Sequence, residues 1–388
     1  MLRDCCECSY YQGILVSQVG ALYRKILYKN IVTESTTTLI APVDYKHRCK
    51  GHKRKPRPPS QSSVWAAHTS PFIISLKEYV CSQTVLRIAI ASHIVLDTIK
   101  SADGKVIESI GGPPCYCGFT SRRFGFDVSL VSKVGNDFRK ELLAVLRNNN
   151  IILGDNFRVD APTTKFQIDT QGDSRQLRLS DKCKPITVED IQDMKVDCWL
   201  ASPVIDELPQ DVFTAIKQNR GKKNFVMLDP QGYIRLVNHK GSVTLREKLE
   251  LDLSGINAIK VDDQEMAALT GGLQSMGGME TLQSKGIEFV IYTEREAIHL
   301  LHQKMHYWLS LDNVDTVDST GVGDILCASF SCAYLKEKDP IWAICFGAGA
   351  VKAALETRQV GLAKVPSMPK IEEMASYFYN GIGFQRLS

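Results

Sequence analysis

Asp318-Ser319-Thr320-Gly321-Val322-Gly323-Asp324 follows an extended stretch and leads straight into the apolar run Ile325 to Leu335. Two glycines where a strand gives way to a helix let backbone N–H groups converge, and the helix N-terminus adds a potential favourable to an anion. Gly321, Val322 and Gly323 are therefore candidates for an anion hole. Asp324 would stand beside a phosphate bound there. Its carboxylate could take a proton from an attacking hydroxyl while the amides hold charge on the transferred group. The same spacing also suits a Gly-rich turn with an acidic residue in the first helical turn.

The surroundings of this stretch read as α/β. From Val85 onward, short apolar runs are separated by segments of helical spacing, the pattern of a largely parallel sheet. The expected core strands are Leu86 to Ser92, Val128 to Ser132, Cys198 to Ser202, Phe225 to Asp229, Ala258 to Lys260 and Phe289 to Thr293. Asn136 is placed to cap a helix through Phe138, Leu142, Leu143 and Leu146, and Thr187 with Asp190 resembles a capping box. Gly323 to Leu335 and Pro340 to Leu355 are apolar on every side and read as buried helices. Two stretches do not fit a doubly wound sheet. Ile94 to Ile110 turns at Asp103-Gly104, and Lys165 to Leu179 alternates around Gln171-Gly172-Asp173. Both read as hairpins, and together they would form a small lid sheet over the crevice where α/β proteins bind ligands.

Composition bounds the class. The 388 residues are 44% apolar and 23% charged, which excludes a disordered chain, and no run approaches the roughly 18 apolar residues of a membrane span. The net charge of +4 is uneven: residues 1–84 hold 12 Lys/Arg against 5 Asp/Glu, while the remainder is slightly acidic. The basic run Lys46 to Pro59 has three readings: a nucleic-acid arm, a transit peptide or a poorly ordered leader. It lacks interleaved aromatic residues, so the leader is preferred and a nucleic-acid partner is not expected. The division is thus an extension over 1–84 and a domain over 85–388. Twelve cysteines show no disulfide framework, and Cys327 and Cys345 lie in apolar runs, which points to a reducing compartment, taken as the cytoplasm. The Cys5, Cys6, Cys8 cluster and the Cys115, Cys117 pair lack a zinc-finger partner, and His299, His302 and His306 show no ligand spacing on one face.

With those residues in view, the stretch from Asp318 to Asp324 resembles the D-T-x-G-A-G-D signature of the PfkB, or ribokinase-like, carbohydrate kinases. Other elements agree in order. Asp97 is similar to the family's early Asp, Gly111-Gly112 to its sugar-binding turn, Lys133 to Phe138 to its V-G-x-D-x-F element, and Lys260 to Glu265 to its K-x-N-x-x-E element. The resemblance spans about residues 85 to 370. Leu130 to Arg139 and Asp229-Pro230-Gln231-Gly232-Tyr233-Ile234-Arg235 resemble the myo-inositol kinase branch. It implies a three-layer α/β/α sandwich with a small β-hairpin lid. It also implies a kinase moving the γ-phosphoryl of ATP, with Mg²⁺, to a hydroxyl of a small polyol, sugar, cyclitol or nucleoside. Asp324 would be the base, with Gly321, Val322 and Gly323 as the anion hole. Asp97, Gly111 and Gly112 would bind the acceptor, Thr293 and Thr320 the nucleotide, and Asp262 and Glu265 the metal through water. A homodimer is compatible with this reading.

Three departures from the family pattern stand out. Tyr116 takes the place of an Asn that contacts sugar hydroxyls, and an aromatic ring there could instead pack on a ligand's apolar face. Asp262 takes the place of an Asn, adding negative charge near the metal region. Thr293-Glu294-Arg295-Glu296-Ala297 lacks both glycines of the turn that approaches the nucleotide, which motivates an alternative: a non-catalytic sugar- or nucleotide-binding protein on a kinase scaffold.

Overall fold

The computed structural model describes residues 85–100, 106–171, 174–219, 224–311, 316 and 318–387. The segment 1–84 and the turn residues Asp103-Gly104 and Gly172-Asp173 lie outside the described residues. In chain order the described elements begin with β1 (Arg87–Ala91), β2 (Val95–Lys100), β3 (Val106–Gly111), α1 (Pro113–Arg123), β4 (Asp127–Val131), α2 (Lys140–Asn148) and β5 (Ile151–Leu153). There follow β6 (Thr164–Gln171), β7 (Ser174–Asp181), β8 (Cys198–Ala201), α3 (Gln210–Gln218), β9 (Phe225–Leu228), α4 (Gln231–Ile234), β10 (Arg235–Val237) and β11 (Val243–Leu245). The last group is β12 (Ala258–Val261), α5 (Asp263–Thr270), α6 (Ser275–Ser284), β13 (Phe289–Thr293), β14 (Ala297–His302), β15 (Met305–Ser310), α7 (Val322–Glu337), α8 (Pro340–Glu356), α9 (Met368–Gly381) and β16 (Gly383–Arg386).

Ten strands form one sheet in the order β16-β15-β14-β13-β12-β9-β8-β1-β4-β5. The strands from β5 to β13 are parallel, and β14, β15 and β16 add an antiparallel edge. The parallel strands are buried on both faces, so side chains alternate between two cores. Ile88, Ile90, Leu200 and Met227 join the core built on α1, α7, α8 and α9, whereas Ala89, Ala91, Trp199 and Val226 join the one built on α3, α5 and α6. This is the expected three-layer sandwich. The strand order reverses at β1, which has β4 on one side and β8 on the other, so the crevice for a ligand opens outside their carboxyl ends. Glu207 pins that corner from within, accepting from Ser92 Oγ and from the N–H groups of His93, Val204 and Ile205.

The two hairpins build a second sheet in the order β3-β2-β6-β7, joined by parallel pairing of β2 with β6. Val95, Phe166 and Ile168 of this sheet pack with Val204 and Ile205, the segment just beyond β8. Some local expectations change. Asn136 does not cap α2, which starts at Lys140 behind Arg139; its amide instead donates to Asp160. Thr187 and Asp190 do form a capping box, but it closes a single 3-10 turn over Val188–Asp190. The described cysteines 115, 117, 183, 198, 327, 332 and 345 are all free and buried.

Candidate active site

The stretch from Asp318 to Asp324 forms a turn at the head of α7 with Gly321 in the left-handed region at φ 77°. A Cβ on Gly321 would lie 2.3 Å from Tyr116 Cδ2, so both the backbone angle and the space demand glycine. Asp318 ties the turn down: its Oδ1 accepts from Thr320 N–H at 2.8 Å, and its Oδ2 accepts from Gly361 N–H at 3.0 Å. Gly321, Val322 and Gly323 are half-buried at the start of the helix, where N–H groups lack intrahelical partners. Asp324 follows in the first turn and is only 6% exposed.

Side chains from two strand ends converge on Asp324. Ser202 Oγ, beyond β8, and Gln231 Nε2, beyond β9, each donate to Asp324 Oδ1 at 3.4 Å. Arg235 fixes which end of the Gln231 amide faces the carboxylate: its Nη2 donates to Gln231 Oε1 at 2.9 Å while its Nη1 donates to Val204 O at 2.8 Å. Burial, reinforced by the nearby Asp229 carboxylate, pushes Asp324 up from 3.8 to about 7, against the pull of Lys260 and Arg235. A carboxylate at that level is poised to exchange a proton near neutral pH.

Beneath the turn, Lys260 of β12 bridges two buried carboxylates, Asp229 at 3.5 Å and Glu265 at 3.2 Å. Burial by itself would lower the ammonium, but these carboxylates hold it well above its ordinary range. A Cβ on Gly323 would sit 3.4 Å from Lys260 Nζ and 3.8 Å from Asp229 Oδ2, so this trio lies directly against the glycine turn. Asp262 and Glu265 form a reciprocal capping box for α5. Asp262 Oδ1 accepts from the N–H groups of Gln264 and Glu265, and Glu265 Oε2 accepts from Asp262 N–H at 2.8 Å. The Asp that departs from the family's Asn is thus engaged by its own helix. Thr293 ends β13 with its Oγ1 donating to Val261 O at 3.4 Å, and Glu294 N–H bonded to Ala297 O makes a tight turn into β14.

Asp97 lies on β2 opposite Ser109 of β3 and is 5% exposed. A Cβ on Gly111 would meet Asp97 Oδ2 at 2.5 Å, and Gly112, at φ 81°, would bring one within 2.8 Å of His93 O. Asp97, Gly111 and Gly112 are therefore gathered at the head of α1. Burial raises the Cys115 thiol, and the Asp97 and Asp324 carboxylates both add to that rise. The Tyr116 ring is not open to a ligand: it is 2% exposed, covered by Gly321 and lying 5.4 Å from Lys364 Nζ. The Lys133 to Phe138 element serves as an anchor. Gly135 N–H donates to Thr163 Oγ1, Thr163 donates twice to Asp137, and Asp137 pairs with Lys165 at 2.7 Å, fastening the start of β6.

Ser202, Asp229, Gln231 and Arg235 have no individual role in the sequence reading, and Lys260 enters it only as the first residue of the K-x-N-x-x-E element. The segment from Asp229 to Arg235 carried only a branch resemblance. Its available signal was an acidic residue at the carboxyl end of a buried strand, where ligand-binding groups gather. His299 and His306 do meet, with Nδ1 and Nε2 3.0 Å apart across β14 and β15, yet no group of three metal-ligating side chains occurs among the described residues.

Residues 98–368 match the pfkB family carbohydrate kinase. A cytidine kinase of Thermococcus kodakarensis is 23% identical over 262 residues, covering 64% of this chain and 89% of that protein. A pyrophosphate-dependent kinase in the ribokinase family, complexed with a pyrophosphate analog and myo-inositol, superposes with a TM-score of 0.63 at 21% identity, covering 74% of this chain and 99% of that one. Fructokinase from Vibrio cholerae O395 in a fructose-, ADP- and calcium-bound form gives 0.62 at 17%, covering 76% and 100%. The family match runs from within β2 to the first residue of α9; it begins one residue after Asp97 and takes in Gly111, Gly112 and Asp324. The chain therefore belongs to the pfkB family of carbohydrate kinases, phosphotransferases whose acceptor is an alcohol group.

Proposed function

We propose that this chain transfers the γ-phosphoryl group of ATP to one hydroxyl of a small sugar, cyclitol or nucleoside, with myo-inositol among the acceptors to test. The observation that carries this is Asp324, buried beside the glycine turn with Ser202 and Gln231 on its carboxylate and a proton affinity near neutrality. In this reading Asp97, with Gly111 and Gly112, orients the acceptor. Asp324 removes the proton from the attacking hydroxyl, and the amides of Gly321, Val322 and Gly323 stabilise charge on the phosphoryl group. Thr293 and Thr320 flank the donor. The sheet of β2, β3, β6 and β7 would exclude water from the crevice, so that the donor is not simply hydrolysed.

Magnesium fits as an ion brought in on the donor's phosphates. Asp262 caps a helix, and Glu265 holds Lys260 and a backbone amide, so neither carboxylate is set up for direct ligation; both suit contact through water. When bound, the ion would neutralise charge on the phosphates. The turn after Thr293 supports a second donor reading, because without its glycines it offers a less open approach to a nucleotide. A pyrophosphate-dependent relative is among the similar structures. We place the enzyme in the cytoplasm as a reading of its free buried cysteines. No helix of the described residues is long and apolar enough to cross a membrane. The test is acceptor-dependent release of ADP or of inorganic phosphate with Mg·ATP or Mg·pyrophosphate over a panel of inositols, pentoses, hexoses and nucleosides. Turnover with ATP and one acceptor supports the proposal, turnover with pyrophosphate alone corrects the donor, and turnover with neither removes it.

A further inference from the structure

Lys364 is 1% exposed, an unusual place for an ammonium, and it lies outside every motif read from the sequence. Its Nζ stands 2.9 Å from Asp318 Oδ2, donates at 2.9 Å to Asp318 O, and sits 5.4 Å from the centre of the Tyr116 ring. A carboxylate, a carbonyl and an aromatic face make a cation cage. The same carboxylate accepts from Thr320 N–H inside the glycine turn and from Gly361 N–H. The Tyr116 ring that faces Lys364 is the one against which Gly321 packs. The turn Gly361–Lys364 also reaches the acceptor side, where a Cβ on Gly361 would meet Ser109 Oγ at 2.9 Å. Ser109 is paired with Asp97 across β2 and β3.

Two acidic residues bracket the turn that must receive a phosphate, Asp318 at one end and Asp324 at the other. An uncompensated Asp318 would oppose an approaching anion and would have reason to leave its place, releasing the Thr320 and Gly361 amides. Burial alone would raise the Asp318 carboxyl; Lys364 and the two amides hold it below its ordinary value instead. We propose that Lys364 is a positioning residue, a built-in cation that cancels Asp318 and holds the glycine turn in its donor-receiving shape. The proposal rests on the phosphotransfer reading of that turn. It adds a residue that touches neither donor nor acceptor.

The experiment compares Lys364→Met, Lys364→Arg and the charge-balanced pair Asp318→Asn with Lys364→Met in the full chain. The readouts are urea unfolding, calorimetric binding of Mg·pyrophosphate and Mg·ATP, and turnover with and without added methylammonium. Lys364→Met should lose donor affinity and kcat/KM by about 10²-fold or more, the scale of breaking a buried pair. Methylammonium should restore a substantial part of that loss, and the balanced pair should recover at least about tenfold over the single variant. Lys364→Arg, which keeps the charge in a larger head group, should fall between Met and the natural lysine. A folded Lys364→Met with unchanged donor binding and turnover overturns the proposal. So does a loss that neither methylammonium nor the balanced pair relieves, since that marks a purely structural role. If Lys364→Met does not fold, the balanced pair and the arginine variant decide by the same measurements. Natural protein that neither binds these anions nor turns over would refute the phosphotransfer reading itself, an outcome distinct from unaltered variants of an active enzyme.

Discussion

Replacing Asp324 by Asn should disable the enzyme and stabilise the fold at the same time. The carboxyl is about 7 in the folded chain against 3.8 as an ordinary aspartate, because burial and Asp229 disfavour its charge. Between those two pH values the folded chain holds a proton that the unfolded chain has already released. Stability therefore falls as pH rises from about 4 to about 7, and the full deficit persists above 7. Three pH units at about 1.4 kcal/mol each give up to about 4 kcal/mol, an order-of-magnitude figure for one buried group. An amide of the same shape carries no such charge and can still accept from Ser202 and Gln231. Asp324→Asn should thus match the natural protein near pH 4 and exceed it by about 2–4 kcal/mol at pH 8. Turnover should meanwhile fall by about 10² to 10⁴-fold, the span of a lost general base. Urea unfolding of both proteins at pH 5 and pH 8, with turnover measured on the same preparations, is the assay. A stability difference equal at the two pH values would refute the burial argument, and unchanged turnover would remove Asp324 from the mechanism.

The natural enzyme's kcat/KM should decline below about pH 7 as Asp324 takes up its proton, and a flat profile from pH 5 to 8 would count against it. Gly321→Ala puts a methyl group into the Tyr116 ring at a left-handed backbone position. The backbone strain alone costs about 1–2 kcal/mol. Thermal unfolding and donor KM should both report the change, and a variant with natural values of both would contradict the packing. Lys260→Met leaves Asp229 and Glu265 buried without their shared cation and should destabilise by about 3–5 kcal/mol in urea unfolding at pH 8. A loss under about 1 kcal/mol would show that the lysine is not what compensates them. Arg235→Lys cannot hold both Val204 O and the Gln231 amide, so turnover should fall by about tenfold with little change in melting temperature. Equal turnover would mean that Gln231 needs no orientation.

Much of this architecture is legible in the sequence because it is local. Apolar runs of four or five residues fix the buried strands, since a strand covered on both faces has no polar alternation to show. The glycine turn and Asp324 announce themselves by spacing, because a backbone bent around an anion excludes most other residues. Three features depend on distant partners and leave little local trace. The antiparallel edge of β14, β15 and β16 has mixed composition and is fixed only by pairing. Tyr116, read as a possible ligand platform, is instead covered by a glycine 205 positions along the chain, and such a pairing leaves no mark on spacing. The ionic ties, Lys364 to Asp318 and Lys260 to Asp229 and Glu265, join charges that look solvent-facing one at a time and become explicable only when burial forces them together. The sequence by itself thus determined the layered sheet, the paired hairpins and the glycine turn ahead of Asp324, each of which follows from backbone periodicity or from glycine. Only the tertiary structure decided what surrounds Asp324 and what holds the turn. Those contacts join separate segments, 43 positions apart for Gly361 and Asp318 and 122 for Ser202 and Asp324, and such proximity is a property of the fold.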